Sequence, residues 1–310
     1  MVEPLPEPRL QAPSQTWSTL ILLVGLVAVS SAAVFIRLAI AAADGGGVEF
    51  SLFLSASRLT LASLVLLPVW RTARVRTVNR AALGYAIAAG ICLALHFATW
   101  ITSLSFTSIA ASATLVTTNP IWVALISWVW FREKPSFLTG AGIAIACVGG
   151  GFIALGEQNE LIGSNPLLGN VLALIGAVMA SLYFLVGREA QRNGLGIGSY
   201  AAIAYTTGAL VLLPIPPLIG SSYLGYSAAV YLYTLLMALT SQVVGHTALN
   251  WSVRWLSPTL VALGLLFEPV GASILGYFVF EEIPTTSVLV GAGIVLAGVA
   301  IAVLGDRKEH

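Results

Sequence analysis

Apolar residues run through this chain in stretches of about twenty, separated by short polar or proline-containing breaks. A bilayer's hydrocarbon core, ~30 Å thick, takes roughly 20 helical residues to cross. Each stretch therefore predicts a spanning helix. Ten are predicted, over residues 17–40, 50–70, 81–103, 107–130, 136–156, 167–187, 198–219, 227–251, 258–280 and 285–304. The seventh is the least regular, because Pro214, Pro216 and Pro217 interrupt its end. Residues 1–16 contain Pro4, Pro6, Pro8 and Pro13 and read as a disordered tail, and residues 305–310 as a second short one. The apolar run after the first tail is long and continuous, unlike a cleaved signal, and reads as an uncleaved span. No connection is long enough to hold a soluble domain, so any chemistry is expected within the membrane.

The pattern repeats. Leu64-Val65-Leu66-Leu67-Pro68 in the second span recurs as Leu210-Val211-Leu212-Leu213-Pro214 in the seventh. Phe131-Arg132-Glu133-Lys134-Pro135 after the fourth matches Phe280-Glu281-Glu282-Ile283-Pro284 after the ninth. Gly140-Ala141-Gly142-Ile143 in the fifth matches Gly291-Ala292-Gly293-Ile294 in the tenth. Three matches in one order divide the chain into two five-helix halves, 17–156 and 167–304, joined by an external linker, 157–166. Five is odd, so the second half enters the membrane from the opposite side. The expected fold is all-α: a polytopic membrane protein of ten transmembrane helices in two inverted repeats, an arrangement typical of alternating-access carriers.

Composition agrees with this reading and removes other classes. Apolar residues make up 58% of 310 positions and charged residues 9%, with a mean hydropathy of +0.93. That is too few charges to cover a water-facing surface. The net charge of +1 shows no basic stripe for nucleic acid. Cys92 and Cys147 lie in apolar runs and make neither a disulfide framework nor a metal site. Charge also sets orientation. Alternate connections collect Arg9, Arg71, Arg74, Arg76, Arg80, Arg132, Lys134, Arg188, Arg192, Arg254, Arg307 and Lys308 on one face. Asp44, Glu49, Glu157, Glu160, Glu281 and Glu282 fall on the other, with Arg37 its single cation. The positive-inside rule makes the arginine-rich face, and both termini, cytoplasmic. Trp17, Trp70 and Trp130 at span ends read as interfacial anchors.

Polar groups inside the spans carry the candidate chemistry. Glu268 precedes Pro269 near the middle of span nine, and Arg58 lies at comparable depth in span two. A charge at a span's centre costs at least about 2.5–3.5 kcal/mol, so both should face the bundle interior. Three readings stand: a structural role, as an Arg58–Glu268 pair or as separate pairings with carbonyls; a Glu268 that binds a proton or a substrate amine; or a role at a helix end or kink. Asn119-Pro120 in span four sits 149 residues before Glu268-Pro269. A mid-span proline bends a helix and frees the carbonyl four residues back, Val116 or Leu265. These are gating hinges beside a cavity, or plain kinks. In span three His96, Trp100 and Ser103 share a helical face, as Gln242, His246 and Asn250 do in span eight. Such stripes line a cavity or bond helices together. The two histidines nearly correspond between the halves and leave proton coupling open. Tyr183 and Tyr205 rank lower. Gly142, Ala146 and Gly150, with Gly293 and Ala297, read as a packing seam within the bundle or between two copies in a homodimer.

The stretch His96-Phe97-Ala98-Thr99-Trp100 through Ser103-Leu104, with Thr117-Thr118-Asn119-Pro120 and Glu133, resembles the EamA type of the drug/metabolite transporter superfamily. So does the run from Gln242 through Glu268-Pro269 to Glu282. The resemblance covers essentially all ten spans. It implies a bacterial inner-membrane carrier, often an exporter of amino acids, nucleosides or other small metabolites and in some members proton-driven. It implies a central cavity between spans one, three, four, six, eight and nine, with His96, Trp100, Asn119, Tyr183, Gln242, His246 and Glu268 near the pathway. Arg58, on span two, falls outside that set. The cargo is not fixed by it.

The leading expectation is thus a transporter of a small organic metabolite, an exporter rather than an importer, with the bilayer and a small-molecule substrate as partners and no cofactor. No P-loop pattern occurs for ATP. An intramembrane enzyme is the second class, but no His-Glu-x-x-His pair and no acidic dyad occur. A scaffold or sensor is the third, though no domain outside the membrane could relay a signal.

Overall fold

The computed structural model describes residues 14–43, 45–72, 79–131, 136–156, 165–255 and 264–306. Every described element is a helix. Seven helical stretches are long and apolar enough to cross a membrane: Thr16–Ala42, Val48–Val65, Arg80–Ser103, Ile109–Ile126, Pro166–Arg192, Ile197–Leu218 and Ala228–Ser252. Three shorter apolar helices, Phe137–Ile153, Phe267–Phe280 and Thr286–Ala302, accompany them. Large apolar side chains such as Val27, Val129, Val148, Phe152 and Phe278 point outward and are exposed. In water so much apolar surface would drive association; against lipid it is the expected exterior. The protein is a multi-pass α-helical membrane protein.

Few of the spans are unbroken helices. The first is α1 (Gln15–Ser30) and α2 (Ala32–Ala42), interrupted at Ser31, whose Oγ bonds back to the Ala28 carbonyl at 2.7 Å. The second is α3 (Val48–Val65) followed by the short α4 (Leu67–Thr72). α5 (Arg80–Ser103) is continuous and starts on Asn79, whose side chain accepts from the Ala81 amide. The fourth divides at Thr117–Thr118 into α6 (Ile109–Val116) and α7 (Asn119–Phe131), because Pro120 at the second position of α7 has no N–H for the turn behind it. α8 (Phe137–Gly156) is followed by α9 (Pro166–Arg192), where Asn165 caps and Pro166 takes the first position. α10 (Ile197–Leu212) and the short α11 (Ile215–Leu218) part at Pro214.

The eighth span departs from its expected regular helix. α12 (Ala228–Met237) runs into a π-helical segment, Ala238–His246, before α13 (Thr247–Trp255). The segment lies against the first span: Ser241 Oγ donates to the Ala28 carbonyl at 3.0 Å, and a methyl on Gly245 would meet Val29 at 2.7 Å. α14 (Phe267–Phe280) begins after a break at Leu266, and α15 (Thr286–Asp306) closes the chain. Residues 258–263, the early part of the expected ninth span, lie outside the described residues, as do Arg132, Glu133, Lys134 and Pro135. The breaks at Thr117 and Leu266 are 149 residues apart, the separation between the two proline positions.

The closest packing is between α8 and α15. A methyl on Gly142 would meet the Gly298 carbonyl at 2.5 Å, and one on Gly149 the Gly291 carbonyl at 2.7 Å. Gly298 in turn faces Ala146 and Gly142, and Gly291 faces Gly149. The contact lies within the bundle. It corrects the sequence register, since Gly150 meets only a distant Leu115 methyl, and a methyl on Gly293 meets nothing within 4 Å. Adding 149 to 142 and 149 gives 291 and 298, so the four glycines contact crosswise: each meets the counterpart of the other.

One end of the bundle is tied by polar contacts. An Arg37 guanidinium nitrogen donates to the Thr107 carbonyl, and Thr107 Oγ1 donates to Asn170 Oδ1 at 2.9 Å. Glu282 Oε1 accepts from the Ile109 amide at 2.8 Å, satisfying a donor at the start of α6. Ser227 Oγ reaches the Ala42 carbonyl at 3.1 Å, and Ser105 Oγ accepts from the Gly47 amide at 3.2 Å.

Candidate functional site

A cavity lies at mid-bundle where the broken helices meet. Its wall includes Arg58 of α3, His96 and Trp100 of α5, Asn119 at the start of α7, Tyr183 of α9, His246 at the end of the π segment, and Glu268 in the first turn of α14. Val116 and Leu265, whose carbonyls the two prolines leave without the usual amide donor, line it as well. The space open to a water-sized sphere is ≈ 40 Å³. That holds a few waters and no larger molecule without widening.

Arg58 is the buried charge of this site, with 0% of its surface exposed. Its Nε donates to Gln242 Oε1 at 2.9 Å, and its guanidinium lies over the Phe97 ring, 4.0 Å from the centroid. Nη1 and Nη2 are buried with no hydrogen-bond partner among the described residues. Arg58 and Glu268 both line the cavity but form no ion pair within 4.0 Å. The direct pair expected as one reading is therefore absent. Arg58, left outside the cavity by the family resemblance, is on its wall. Depth in span two was legible; the side chain's reach past Phe97 was not.

The histidines hold different places. His96 Nδ1 bonds the Gly176 carbonyl at 2.9 Å, and its ring stacks on Trp100 with centroids 5.8 Å apart. Gly176 lets α5 and α9 close on each other, since a methyl there would press on Trp100 at 3.2 Å. His246 sits edge-on to Phe97, centroids 5.5 Å apart. Trp100 Nε1 and Asn119 Oδ1 are buried without a partner among the described residues, one a donor and one an acceptor.

The two polar stripes do not each face the cavity. Ser103 is turned to Ser112 Oγ at 2.6 Å and to the Trp100 carbonyl. Gln242 stands behind Arg58, and Asn250 behind Tyr183, donating from Nδ2 to the phenolic oxygen at 3.0 Å. The reason in span eight is the π segment, whose i→i+5 bonding changes the angle between successive residues. Tyr205 is fully buried and off the wall. Pro120 and Pro269 act through the helix breaks they make. Among the described residues, no three His, Cys, Asp or Glu side chains gather as a metal site.

Broken helices whose ends meet at a mid-bundle cavity are a feature that membrane carriers share. The family comparison is specific: the model of the EamA-like transporter family matches residues 16–155 and again residues 167–304. The chain belongs to that family. It is 25% identical to the uncharacterized transporter YdfC of Bacillus subtilis over 66% of this chain. It is 25% identical to a probable terminal-alkyne amino-acid exporter of Streptantibioticus cattleyicolor over 63%. The matched region spans 65% of the length of each of these relatives. The uncharacterized transporter sll1319 of Synechocystis is 26% identical over 72% of this chain and 68% of its own length. A solved crystal structure superposes with a TM-score of 0.63 at 17% identity, covering 96% of this chain and all of that one; that likeness is one of fold. The names of family and relatives are those of transporters, not enzymes.

Proposed function

We propose that this protein is a secondary-active or facilitative transporter of small organic metabolites, amino acids or related compounds, working by alternating access and favouring export. The observation that carries the reading is the cavity itself. Charged and polar side chains set in its largely apolar wall stand at mid-bundle beside two helix breaks 149 residues apart, where lipid could not satisfy such groups. Ten spans in two inverted repeats, 17–156 and 167–304, are part of the proposal. The double family match and the crosswise glycine contact of α8 with α15 support it. His96, Trp100, Asn119, Tyr183, His246 and Glu268 are the proposed substrate contacts, with Gln242 and Asn250 one layer behind and Glu268 the proton-coupling group.

Orientation belongs to the same proposal: a bacterial inner membrane with both termini cytoplasmic. The tied end of the bundle is then the external one, and the narrow cavity would widen as the halves exchange conformations. In a background without native thiols, a cysteine at Asn159 should react with a membrane-impermeant reagent added outside and one at Thr77 should not. The reverse pattern overturns the orientation. Transport itself is tested by flux of labelled amino acids and amines into proteoliposomes. Saturable flux above protein-free vesicles is the expected result. Product formation without flux would mean an enzyme, and neither activity a scaffold.

A further inference from the structure

Arg58 is the cavity group whose chemistry the transport reading leaves unused. A guanidinium offers five N–H donors in a planar fork. Here the stem side is held, by Gln242 Oε1 at Nε and by the Phe97 ring beneath Cζ. The fork side is open: Nη1 and Nη2 are buried, on a residue of the cavity wall, with no partner among the described residues. An arginine serving only to join helices would spend its donors on carbonyls and carboxylates around it. This one is held in place at one end and left with four unused donors at the other. Glu268, on the same wall, does not take them up within 4.0 Å.

We propose that the Arg58 fork binds the carboxylate of the transported molecule, with Phe97 as its platform and Gln242 as the residue that positions it. Parallel N–H donors of one guanidinium match the two oxygens of a carboxylate. A phosphate monoester carries nearly two charges and would meet one guanidinium with the Glu268 carboxylate on the same wall, so a singly charged acid fits better. The class is a monocarboxylate with an apolar body for Phe97 and Trp100, zwitterions included, since Glu268 on the same wall can take an ammonium group. The claim rests on the transport reading for its physiological meaning, while the binding site is separately measurable.

The test compares three probes on one carbon skeleton: hexanoate, hexanamide and norleucine. Each is added at millimolar concentration to the purified full-length protein and its thermal unfolding followed, since a ligand of the native state stabilises it. Hexanoate and norleucine should raise the unfolding temperature and hexanamide should not. Gln242→Glu places a carboxylate against the guanidinium. It should raise the basal unfolding temperature and abolish the acid-specific shift. Arg58→Lys keeps the charge without the fork and should weaken apparent acid affinity by about tenfold; it decides the matter if Gln242→Glu fails to fold. No acid-specific shift in the wild type, or one unchanged by whichever variants fold, overturns the proposal. Flux of norleucine in proteoliposomes separates the two claims. An acid-specific shift without flux would sink the transport reading and leave the site, whereas flux without the shift would sink the site alone.

Discussion

Glu268→Gln protein is expected to fold and to exchange substrate across the membrane, yet to lose its response to a pH gradient. Glu268 is the carboxylate of the cavity wall and stands in the first turn of α14, where the helix dipole favours negative charge. Its counterpart Asn119, at the first position of α7, is neutral, so the halves differ in charge where they otherwise match. A carboxylate that faces the cavity without a direct ion pair to Arg58 is available to a proton or a substrate ammonium. Glutamine keeps the shape and removes the charge. If proton and substrate binding are coupled there, removing the coupling should cut gradient-driven accumulation by ~5–150-fold, the range of a coupling free energy of about 1–3 kcal/mol. Counterflow at equal pH should change little. A purely charge-balancing Glu268 predicts something else: poor expression of Glu268→Gln, with folding restored by adding Arg58→Leu. Normal gradient-driven transport by well-folded Glu268→Gln removes Glu268 from the mechanism.

The second large effect is expected at the α8–α15 contact. Gly142→Val should cost about 3 kcal/mol or more, the upper end of overpacking penalties, because even a β-carbon at Gly142 would meet the backbone of Gly298 and Ala302. Backbone cannot swing aside as a side chain can, so the two helices must separate. Gly298→Val, on the facing helix, should do the same. Gly140→Ala and Gly293→Ala are the controls: a methyl at either meets nothing within 4 Å, and alanine gains up to about 1 kcal/mol of helix propensity over glycine. Unfolding temperatures of the purified proteins in one detergent would decide the matter. Equal stability of Gly142→Val and Gly293→Ala would mean that the seam has been assigned to the wrong glycines.

Membrane insertion and helix content were legible along the chain because they depend on local quantities. Hydropathy over a window of about twenty residues does not depend on what surrounds it: seven of the ten expected stretches hold a described helix long and apolar enough to cross a membrane, and the other three a shorter apolar one. Proline positions act locally too: Pro120 and Pro214 break their helices where the missing amide requires it. Of the site, the residues that a span cannot leave facing lipid were findable for that reason. His96, Trp100, Asn119, Tyr183, His246 and Glu268 all reach one cavity.

Which neighbour each buried group meets was decided only by the tertiary structure. Repeat matching in the fifth and tenth spans aligned Gly142 with Gly293, two residues off the contact register, because small residues recur so often there that composition mimics alignment. Helical spacing placed Gln242 and Asn250 on the cavity with His246, but a π segment in span eight turns them to Arg58 and Tyr183 instead. Whether Arg58 pairs with Glu268 could not be read from two charges at equal depth. Depth fixes one coordinate, and an ion pair needs all three. The chain's own pattern thus determined that charges would be sheltered inside the bundle. Packing of helix on helix decided that Arg58 rests on Phe97, with Nη1 and Nη2 left without a partner among the described residues.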